Sequence, residues 1–468
     1  MEQLQPGVYN VPIAVEIHGH LKVDYFQKAL QHMSERHEIL RTYFPLSEGL
    51  PSQKILSDFS PDFQVEDYHV SFVSSANVSS WIDSRLESLR SVQFQLETHP
   101  PWIARILQIS GIRFVIVLNF HHIICDGWSN DVFWKELCHI YGSLQREERV
   151  ELPILPFQYA DYSLWQRSFF DSATLNSSME FWRKQLKEAP PEINLPTDFP
   201  RPKELSYNGS TCYLNLDDDL MSRLRVLGLE EGCSLFMVLH SLLNVLLYRY
   251  SSQMDIVIGT PVANRDCSGL EGLLGFFVNT LPLRITLSNA DSFLSVLKKV
   301  RHATLAALDN QLVPFEYIVD NLQIDRQSPR MPLVQVMIVV QNRDRVERNH
   351  RIDLGGVEGH YLDFGSAEAS KFELLFEFQE REHGSWRLVT NFCTDIYEKD
   401  SVLQMLQNFV KLAKACIEQP TEELNSIDVE RVPIPCSLEQ ELMYSPLMDY
   451  FHAAVTKQGD KLALVSED

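Results

Sequence analysis

The sequence predicts a mixed α/β protein of the α+β kind, built from two halves of similar make-up. Its 468 residues exceed the roughly 150 residues of an average domain. Strand-like and helix-like hydrophobic patterns are interspersed in both halves rather than separated. Between the halves, the stretch 189–202 contains five prolines, and proline continues neither a helix nor a central strand. We therefore expect this stretch to be extended and to join the two halves.

In the first half, strands follow from alternating or continuous apolar residues, and helices from apolar residues three and four positions apart. Strands are predicted at 8–17, 63–70, 102–108 and 113–119, and helices at 23–36, 81–89, 131–144, 159–170 and 178–187. Ser110 and Gly111 lie between two of these strands and predict a hairpin turn.

The second half shows the same two patterns. Strands are predicted at 212–216, 256–259, 283–287, 333–340, 372–378 and 386–392, and helices at 220–229, 235–250, 293–308 and 402–416. The longest apolar run, 234–250, contains His240 and Asn244 and is too short for a comfortable membrane span. It is typical of a buried helix.

Charge and cysteine content exclude several classes of protein. With 41 basic and 63 acidic residues, the formal net charge is −22, which disfavours nucleic acid or an anionic membrane as the main partner. None of the eight cysteines forms a CxxC pair, so no zinc or redox motif is present and reduced thiols are expected. The first residues lack the pattern of a signal peptide. We therefore expect a cytoplasmic, soluble protein.

The most informative stretch is 119–129, NFHHIICDGWS. An apolar strand delivers His121 and His122, and Asp126 and Gly127 follow just before a helix. Imidazole titrates near neutrality, so a histidine at a strand end suits a general base, and a glycine N–H suits a developing oxyanion. The alternative is that the histidines are ordinary core residues. Spacing alone leaves both interpretations open.

Other kinds of chemistry find less support in the sequence. Adjacent histidines on a strand point to opposite faces, and no further ligands follow at suitable spacing, so no metal site is predicted. No GxSxG nucleophile motif occurs. The glycines of 269–275 lack the following Lys and Ser or Thr of a phosphate-binding loop. A base without a protein nucleophile indicates direct transfer between two bound substrates.

The stretch HHIICDGWS closely resembles the HHxxxDG signature of condensation domains of non-ribosomal peptide synthetases, a branch of the chloramphenicol acetyltransferase-like superfamily. Segments similar to five more motifs of that family follow its order: RHEILRTYF (36–44), YADYSLW (159–165), GFFVNTLPLR (275–284), QLVPFE (311–316) and SPRMPLVQV (328–336). The resemblance covers about residues 1–430. The family's first motif is absent, so we expect the chain to begin inside the domain.

The resemblance implies two chloramphenicol acetyltransferase-like lobes in a V-shaped pseudo-dimer, with an active-site tunnel between them. It places the first lobe at 1–188 and the second at 189–430. A linker would occupy 431–446. The last residues, 447–468, resemble the start of an adenylation domain.

The resemblance also implies roles for the signature residues. His122 matches the family's catalytic histidine, which deprotonates or positions the attacking amine, and the N–H of Gly127 would stabilise the oxyanion. His121 is expected to face into its lobe. Asp126 would form a structural salt bridge with Arg284 that holds the loop.

Further residues are expected to support the tunnel. Asn279 and Thr280 belong to the element that crosses between lobes. Arg41 is expected to be structural, with a place in the tunnel wall as the alternative. Trp128 and Ser129 lie where a helix begins, and Ser129 is the predicted N-cap.

The implied activity is peptide-bond formation between a donor peptidyl or aminoacyl thioester and the amine of an acceptor aminoacyl thioester. Both substrates would be carried on 4'-phosphopantetheine arms of donor and acceptor carrier domains, and an adenylation domain would share the chain. No cofactor or metal is expected in the domain itself, and no nucleic acid or membrane partner. Inactive relatives lose the second histidine or the glycine, which are present here. The alternatives are a stand-alone ester- or amide-forming acyltransferase and a silent docking or gating domain.

Overall fold

The computed structural model consists of two lobes, each with a six-stranded mixed sheet between helices. It describes residues 7–68, 75–169, 173–322, 330–341, 352–362, 369–381 and 384–426. The predicted linker 431–446 and the predicted adenylation start at 447–468 lie outside the described residues.

The first lobe is built on a sheet whose inner strands are almost entirely apolar. Its strands are β1 (Asn10–His18), β6 (Phe63–Asp67), β7 (Trp102–Ser110), β8 (Arg113–His121), β13 (Ile352–Asp353) and β14 (Glu358–Leu362), and the two-residue strands β2 (Thr42–Tyr43), β3 (Leu46–Ser47), β4 (Leu50–Pro51) and β5 (Lys54–Ile55) form small ribbons. The strand order is β13-β14-β1-β8-β7-β6, antiparallel except for β6 and β7. Helices α1 (Val23–Arg36) and α3 (Gly127–Gln145) pack on one face and α2 (Ser75–Arg90) on the other.

The second lobe repeats this layered arrangement. Its strands are β9 (Gly209–Leu216), β10 (Asp255–Val262), β11 (Asn279–Thr286), β12 (Val336–Gln341), β15 (Leu374–Glu380) and β16 (Trp386–Cys393), in the order β11-β10-β12-β15-β16-β9. Helices α6 (Asp218–Glu230), α7 (Leu235–Ser251), α8 (Phe293–Leu308) and α10 (Lys399–Glu418) share one apolar core, and α5 (Ala173–Gln185) and α9 (Phe315–Asn321) share the other. Helix α4 (Tyr159–Phe169) packs against the loop between β10 and β11.

The two lobes exchange elements, which departs from the predicted division at residue 188. Helix α5 precedes that position but packs against the second sheet. Strands β13 and β14 come from the second half but extend the first sheet, because β14 pairs with the edge of β1. A cleft of about 910 Å³ opens between β14 of the first lobe and the ends of β9 and β16 of the second. The chain therefore crosses between the lobes more than once.

Strong periodicity located the elements well, and capping moved one boundary. The structure has α8 at the predicted residues, 293–308. The predicted hairpin at Ser110 and Gly111 joins β7 to β8. Helix α3 begins at Gly127 rather than at the predicted Asp131, because the Asp126 carboxylate accepts a hydrogen bond from the third residue of the helix.

The apolar run 234–250 is a buried helix, as predicted. Helix α7 has eleven buried residues, among them His240 and Asn244. Within the described residues no single helix is long and apolar enough to cross a membrane, and α6 and α7, which pass such a test only as a pair, meet at a bend of 106°.

Replacing His240 by leucine is expected to make the protein less sensitive to acid. Neither ring nitrogen of this buried side chain has a hydrogen-bond partner among the described residues, and burial lowers the pKa of His240 to about 3. The folded protein therefore binds the proton less readily than the unfolded chain. The stability that the neutral ring contributes is present above about pH 6.5 and falls by about 1.4 kcal/mol per pH unit below it.

Urea unfolding at about pH 7.5 and about pH 5 measures this contribution. When the pH is lowered from about 7.5 to about 5, the free energy of unfolding of the parent protein should fall by about 2 kcal/mol more than that of His240→Leu. His302→Leu, a change of an exposed histidine on α8, is the control and should follow the parent. Equal acid sensitivity of the parent and His240→Leu would refute the prediction.

Candidate active site

The histidine pair lies where the central strand of the first sheet ends. His121 is the last residue of β8, and 122–124 form a single 3-10 turn before α3. The backbone N–H of His121 donates to the carbonyl of Pro101 (2.9 Å), and that of His122 donates to the carbonyl of Tyr9 (2.7 Å). Both backbone positions are therefore fixed by neighbouring segments of the first lobe.

His122 presents a neutral imidazole at the junction of the two halves. Its ring is half-buried, and the ring of Phe276, from the second half, approaches it edge-on with 5.1 Å between centroids. The Nδ1 atom is buried without a hydrogen-bond partner among the described residues, so the accessible edge of the ring is the one that carries Nε2. Burial, and secondly the ammonium of Lys371, lower the pKa of His122 to about 4. Such a ring is neutral at physiological pH and can accept a hydrogen bond.

His121 turns into the first lobe, as expected from the resemblance. It is buried, and its Nδ1 accepts a hydrogen bond from the backbone N–H of Ile123 (3.1 Å). This bond assigns the ring proton to Nε2. His121 therefore shapes the 3-10 turn that holds His122.

The predicted salt bridge between Asp126 and Arg284 is wrong. Asp126 pairs with Arg265, whose guanidinium lies 3.2 Å from the carboxylate, and both side chains are buried. Arg284 instead binds Asp255 (2.6 Å). The register of β10 and β11 explains this pairing, because Arg284 lies opposite Val257, two residues from Asp255, on the same face of the sheet.

Ser129 is not the N-cap of α3. Asp126 is the cap residue, and its Oδ1 accepts from the backbone N–H of Ser129 (2.7 Å) while its Oδ2 accepts from that of Phe277 (3.0 Å). The hydroxyl of Ser129 instead donates to the carbonyl of Gly275 (2.8 Å). An aspartate at this position satisfies helix N–H groups that would otherwise lack partners. The same carboxylate thereby joins α3 to the loop between β10 and β11.

Arg265 organises that loop and was not identified from the sequence. It donates to the carbonyls of Leu270 and Leu273 (2.7 Å each) and to the hydroxyl of Ser129 (2.8 Å), and its guanidinium lies 4.0 Å from the centre of the Phe277 ring. The available signal was an arginine three residues after the end of β10 and just before the glycines of 269–275. Local patterns do not show that such an arginine folds back onto α3.

The other predicted site residues occupy different places around this framework. Gly127 is the exposed first residue of α3, and Trp128 donates to the carbonyl of Glu271 (2.9 Å). The amide of Asn279 donates to two carbonyls of the segment before α9, and its oxygen accepts from Phe315 N–H (3.0 Å). Asn279 therefore fastens β11 to α9.

Thr280 and Arg41 complete the predicted set. Thr280 lies half-buried on β11, opposite Pro261. Arg41 is engaged within the first lobe, where it binds the carboxylate of Glu38 (3.1 Å) and the carbonyl of Leu56. These contacts give Arg41 a structural role. Among the described residues, no cluster of three or more His, Cys, Asp or Glu side chains is arranged to hold a metal ion.

Replacing Gly275 by alanine is expected to displace the loop between β10 and β11 and to destabilise the protein. Gly275 has a φ of +155°, and a Cβ atom there would lie 2.1 Å from the ring of Tyr159. That ring is held in place by a hydrogen bond from its hydroxyl to the carbonyl of Phe276 (2.9 Å). We expect a loss of about 1–3 kcal/mol, the usual cost of overpacking a close-packed site.

Thermal and urea unfolding of Gly275→Ala should be compared with those of Gly272→Ala. Gly272 lies in the same loop, but a Cβ atom there would meet only the Leu155 side chain, at 3.4 Å. Its replacement should change the free energy of unfolding by less than about 0.5 kcal/mol. Equal losses in the two variants would contradict the assigned role of Gly275.

Comparisons with known proteins agree with this architecture. The family model described as Condensation domain matches residues 1–431. A linear gramicidin synthase polypeptide of Brevibacillus parabrevis is 35% identical over 463 residues, which are 98% of this chain and 9% of that protein. Gramicidin S synthase 2 of Brevibacillus brevis is 31% identical over 471 residues, which are 98% of this chain and 10% of that protein. The chain thus spans about a tenth of the length of these curated relatives.

Two solved structures have similar folds. The X-domain from teicoplanin biosynthesis, solved in complex with OxyB, has a TM-score of 0.81 and 25% identity, covering 91% of this chain and 92% of its own. The first condensation domain of the CDA synthetase has a TM-score of 0.70 and 17% identity, covering 92% of this chain and 95% of its own. The second likeness concerns the fold alone. Together these findings confirm the predicted family and fold class.

Proposed function

This chain belongs to the condensation domain family, and from that membership we propose that it forms an amide bond between a donor acyl thioester and the amine of an acceptor aminoacyl thioester. The observation that carries the proposal is the neutral, half-buried imidazole of His122, held at the junction of the two halves. A ring in that state accepts a hydrogen bond from an amine without competing with it for a full proton.

The reaction needs two substrates and no protein nucleophile. The nitrogen of the acceptor amine attacks the thioester carbonyl carbon, the carbonyl oxygen gains negative charge, and the C–S bond then breaks. The amine loses one proton, the sulfur of the donor leaves as a thiol, and the lengthened chain remains on the acceptor. Holding both reactants in line contributes much of the rate, because it converts a bimolecular step into an effectively unimolecular one.

Each site residue has a part in this proposal. His122 orients the attacking amine, and with its pKa lowered to about 4 it acts better by accepting a hydrogen bond than as a strong base. Gly127 is the first residue of α3, and its N–H stabilises the negative charge that develops on the thioester carbonyl oxygen, as a helix N-terminus does for an anion. Asp126 and Arg265 keep the turn and the loop in register.

The substrates and partners are part of the same proposal. We assign both thioesters to the phosphopantetheine arms of a donor and an acceptor carrier domain, with an adenylation domain in the same chain. We also place the reaction in the cytoplasm, which the free thiols of all seven described cysteines support.

A single-turnover transfer experiment tests the function. A donor carrier protein loaded with a dipeptide and an acceptor carrier protein loaded with one amino acid are mixed with this protein, and both carriers are weighed by intact-protein mass spectrometry. Donors that end in L and in D residues are used, and mixtures without the protein report spontaneous transfer. Movement of the dipeptide mass from donor to acceptor is the expected result.

A docking role is the second candidate, because the X-domain that this chain resembles was solved bound to another protein. Absence of transfer from every donor by a folded protein that binds the carriers would favour docking or gating. Transfer to free amines or alcohols, but not to the acceptor carrier, would favour a stand-alone acyltransferase. Either result would overturn the proposed function.

A further inference from the structure

Lys371 is a half-buried lysine just before β15, on the side of the second lobe that meets the histidine turn. Its backbone is fixed on both sides. Ser370 N–H donates to the carbonyl of Tyr207 (2.8 Å), and Glu373 N–H donates to the carbonyl of Gln335 (3.0 Å). The buried carboxylate of Glu373 is also bound, by Arg330 (2.7 Å) and by Arg201 (3.1 Å). The direction in which Lys371 extends is therefore set by the second lobe.

The amine of Lys371 reaches the first lobe beside His122. Its Nζ lies 5.0 Å from the centre of the Tyr9 ring. Tyr9 is also the residue whose carbonyl holds the N–H of His122, and its ring lies 6.1 Å from that of His121. An ammonium over an aromatic face is stabilised by the ring. A positive charge from the second lobe thus lies next to the segment that carries His122.

This positive charge is not neutralised locally by the described residues. No carboxylate among them lies within 4.0 Å of the Lys371 amine. Several charged or titratable groups surround the amine and His122. The first lobe contributes the Tyr9 phenol, the ring of His121, the thiol of Cys125 and the carboxylate of Asp126, which is paired with Arg265. The segment that carries Lys371 contributes Glu373, which is paired with Arg201 and Arg330. Both carboxylates of this set are thus already paired with arginines.

We propose that Lys371 is a positioning residue whose ammonium, held over Tyr9, favours the unprotonated form of the incoming acceptor amine and adds to the burial that disfavours protonation of His122. The inference rests on the proposed amide-forming function. Only the neutral amine attacks a thioester, and an α-amine has a pKa of about 8, so much of it is protonated at neutral pH. A nearby positive charge disfavours a second positive charge and therefore favours the reactive form.

Lys371 is positively charged in the pH range in which the acceptor amine would otherwise be protonated. Burial lowers the pKa of Lys371 to about 8, so the side chain is cationic at neutral pH and becomes neutral as the pH rises further. At about pH 9 the acceptor amine is neutral without assistance. The contribution of Lys371 is therefore largest below neutrality and disappears in alkali.

Single-turnover rates of Lys371→Met across the pH range test the inference. The variant should be about tenfold slower than the parent at about pH 6.5 and within about twofold of it at about pH 9, because one pKa unit changes the neutral fraction about tenfold. Lys371→Arg keeps the charge and should stay within about threefold of the parent at about pH 6.5. Lys414→Met removes an exposed lysine of α10 and should match the parent at every pH.

A measurement without turnover separates this inference from the proposed function. Nitrogen chemical shifts of ¹⁵N-histidine-labelled protein report the charge of each ring, and the resonance lost in His122→Ala identifies His122. The midpoint of His122 should rise by about one pH unit in Lys371→Met. Circular dichroism and thermal unfolding establish that the variant is folded, and Lys371→Gln replaces it if it is not.

The outcomes are distinguishable. If the parent forms no amide, the proposed function fails, while the histidine titration still tests the effect of Lys371 on His122. If the parent is active but Lys371→Met is slowed by the same factor at every pH, the residue acts only through structure and the inference is overturned. An unchanged His122 midpoint also overturns it.

Discussion

Replacing His122 by alanine is expected to lower the single-turnover rate of amide formation by about 100-fold or more, the usual contribution of a positioned acid–base group. The ring is the polar group that β8 and the 3-10 turn present at the junction of the halves, with Phe276 fixing its face. Without it, the attacking amine loses its hydrogen-bond acceptor. The rate is followed by intact-protein mass spectrometry of both carriers.

His302→Ala is the matched control for this prediction, because His302 is an exposed histidine on α8. It should leave the rate unchanged. Thermal unfolding should show that His122→Ala remains folded, since the Nδ1 atom of His122 has no hydrogen-bond partner among the described residues and the ring is only half-buried. Equal rates for the parent and His122→Ala would remove this residue from the mechanism and leave the amide-forming assignment intact.

Replacing Arg265 by methionine should destabilise the protein by about 3–5 kcal/mol, because it leaves the buried Asp126 carboxylate without its cation. Among the described residues, the carboxylate would then retain the N–H groups of Ser129 and Phe277 as its hydrogen-bond donors. The loop between β10 and β11 would also lose the hydrogen bonds that Arg265 donates to its carbonyls. Urea unfolding measures the loss, and the amide-forming rate should fall with it.

Arg284→Met is the control, because the sequence suggested Arg284 as the partner of Asp126. Its observed pair with Asp255 is partly exposed, so we expect Arg284→Met to lower the free energy of unfolding by only about 1 kcal/mol. In double-mutant cycles, Asp126→Asn should couple to Arg265→Met by about 2 kcal/mol and to Arg284→Met by less than about 0.5 kcal/mol. The opposite pattern of coupling would restore the pairing inferred from the sequence.

The elements that the sequence predicted best are those whose own side chains decide their structure. Helix α8 carries an apolar stripe between clear ends, with Ser292 as its cap, and its bounds were predicted correctly. The short strands β13 and β14 were missed. They carry little strand propensity of their own and exist because β1 offers an unpaired edge.

The site residues also fall into those that local sequence brings together and those that only distant contacts bring together. His122, Gly127 and Asp126 lie within six residues, so one strand end, one turn and one helix start bring them together. The partner of Asp126 is 139 positions away, and a motif of the family had suggested a different arginine. Pairing between distant segments depends on strand register and loop path, which a local pattern does not contain.

The sequence by itself determined the family, the mixed α/β fold class and the place of the histidine pair at the end of a strand, because contiguous motifs and hydrophobic periods are local properties of the chain. Only the tertiary structure decided which cation pairs with Asp126 and that Lys371 lies beside Tyr9 and His122. It also decided that β14 completes the sheet of the first lobe. Burial and the meeting of distant charges set the ionisation of such a site, and both arise only when the two lobes fold together.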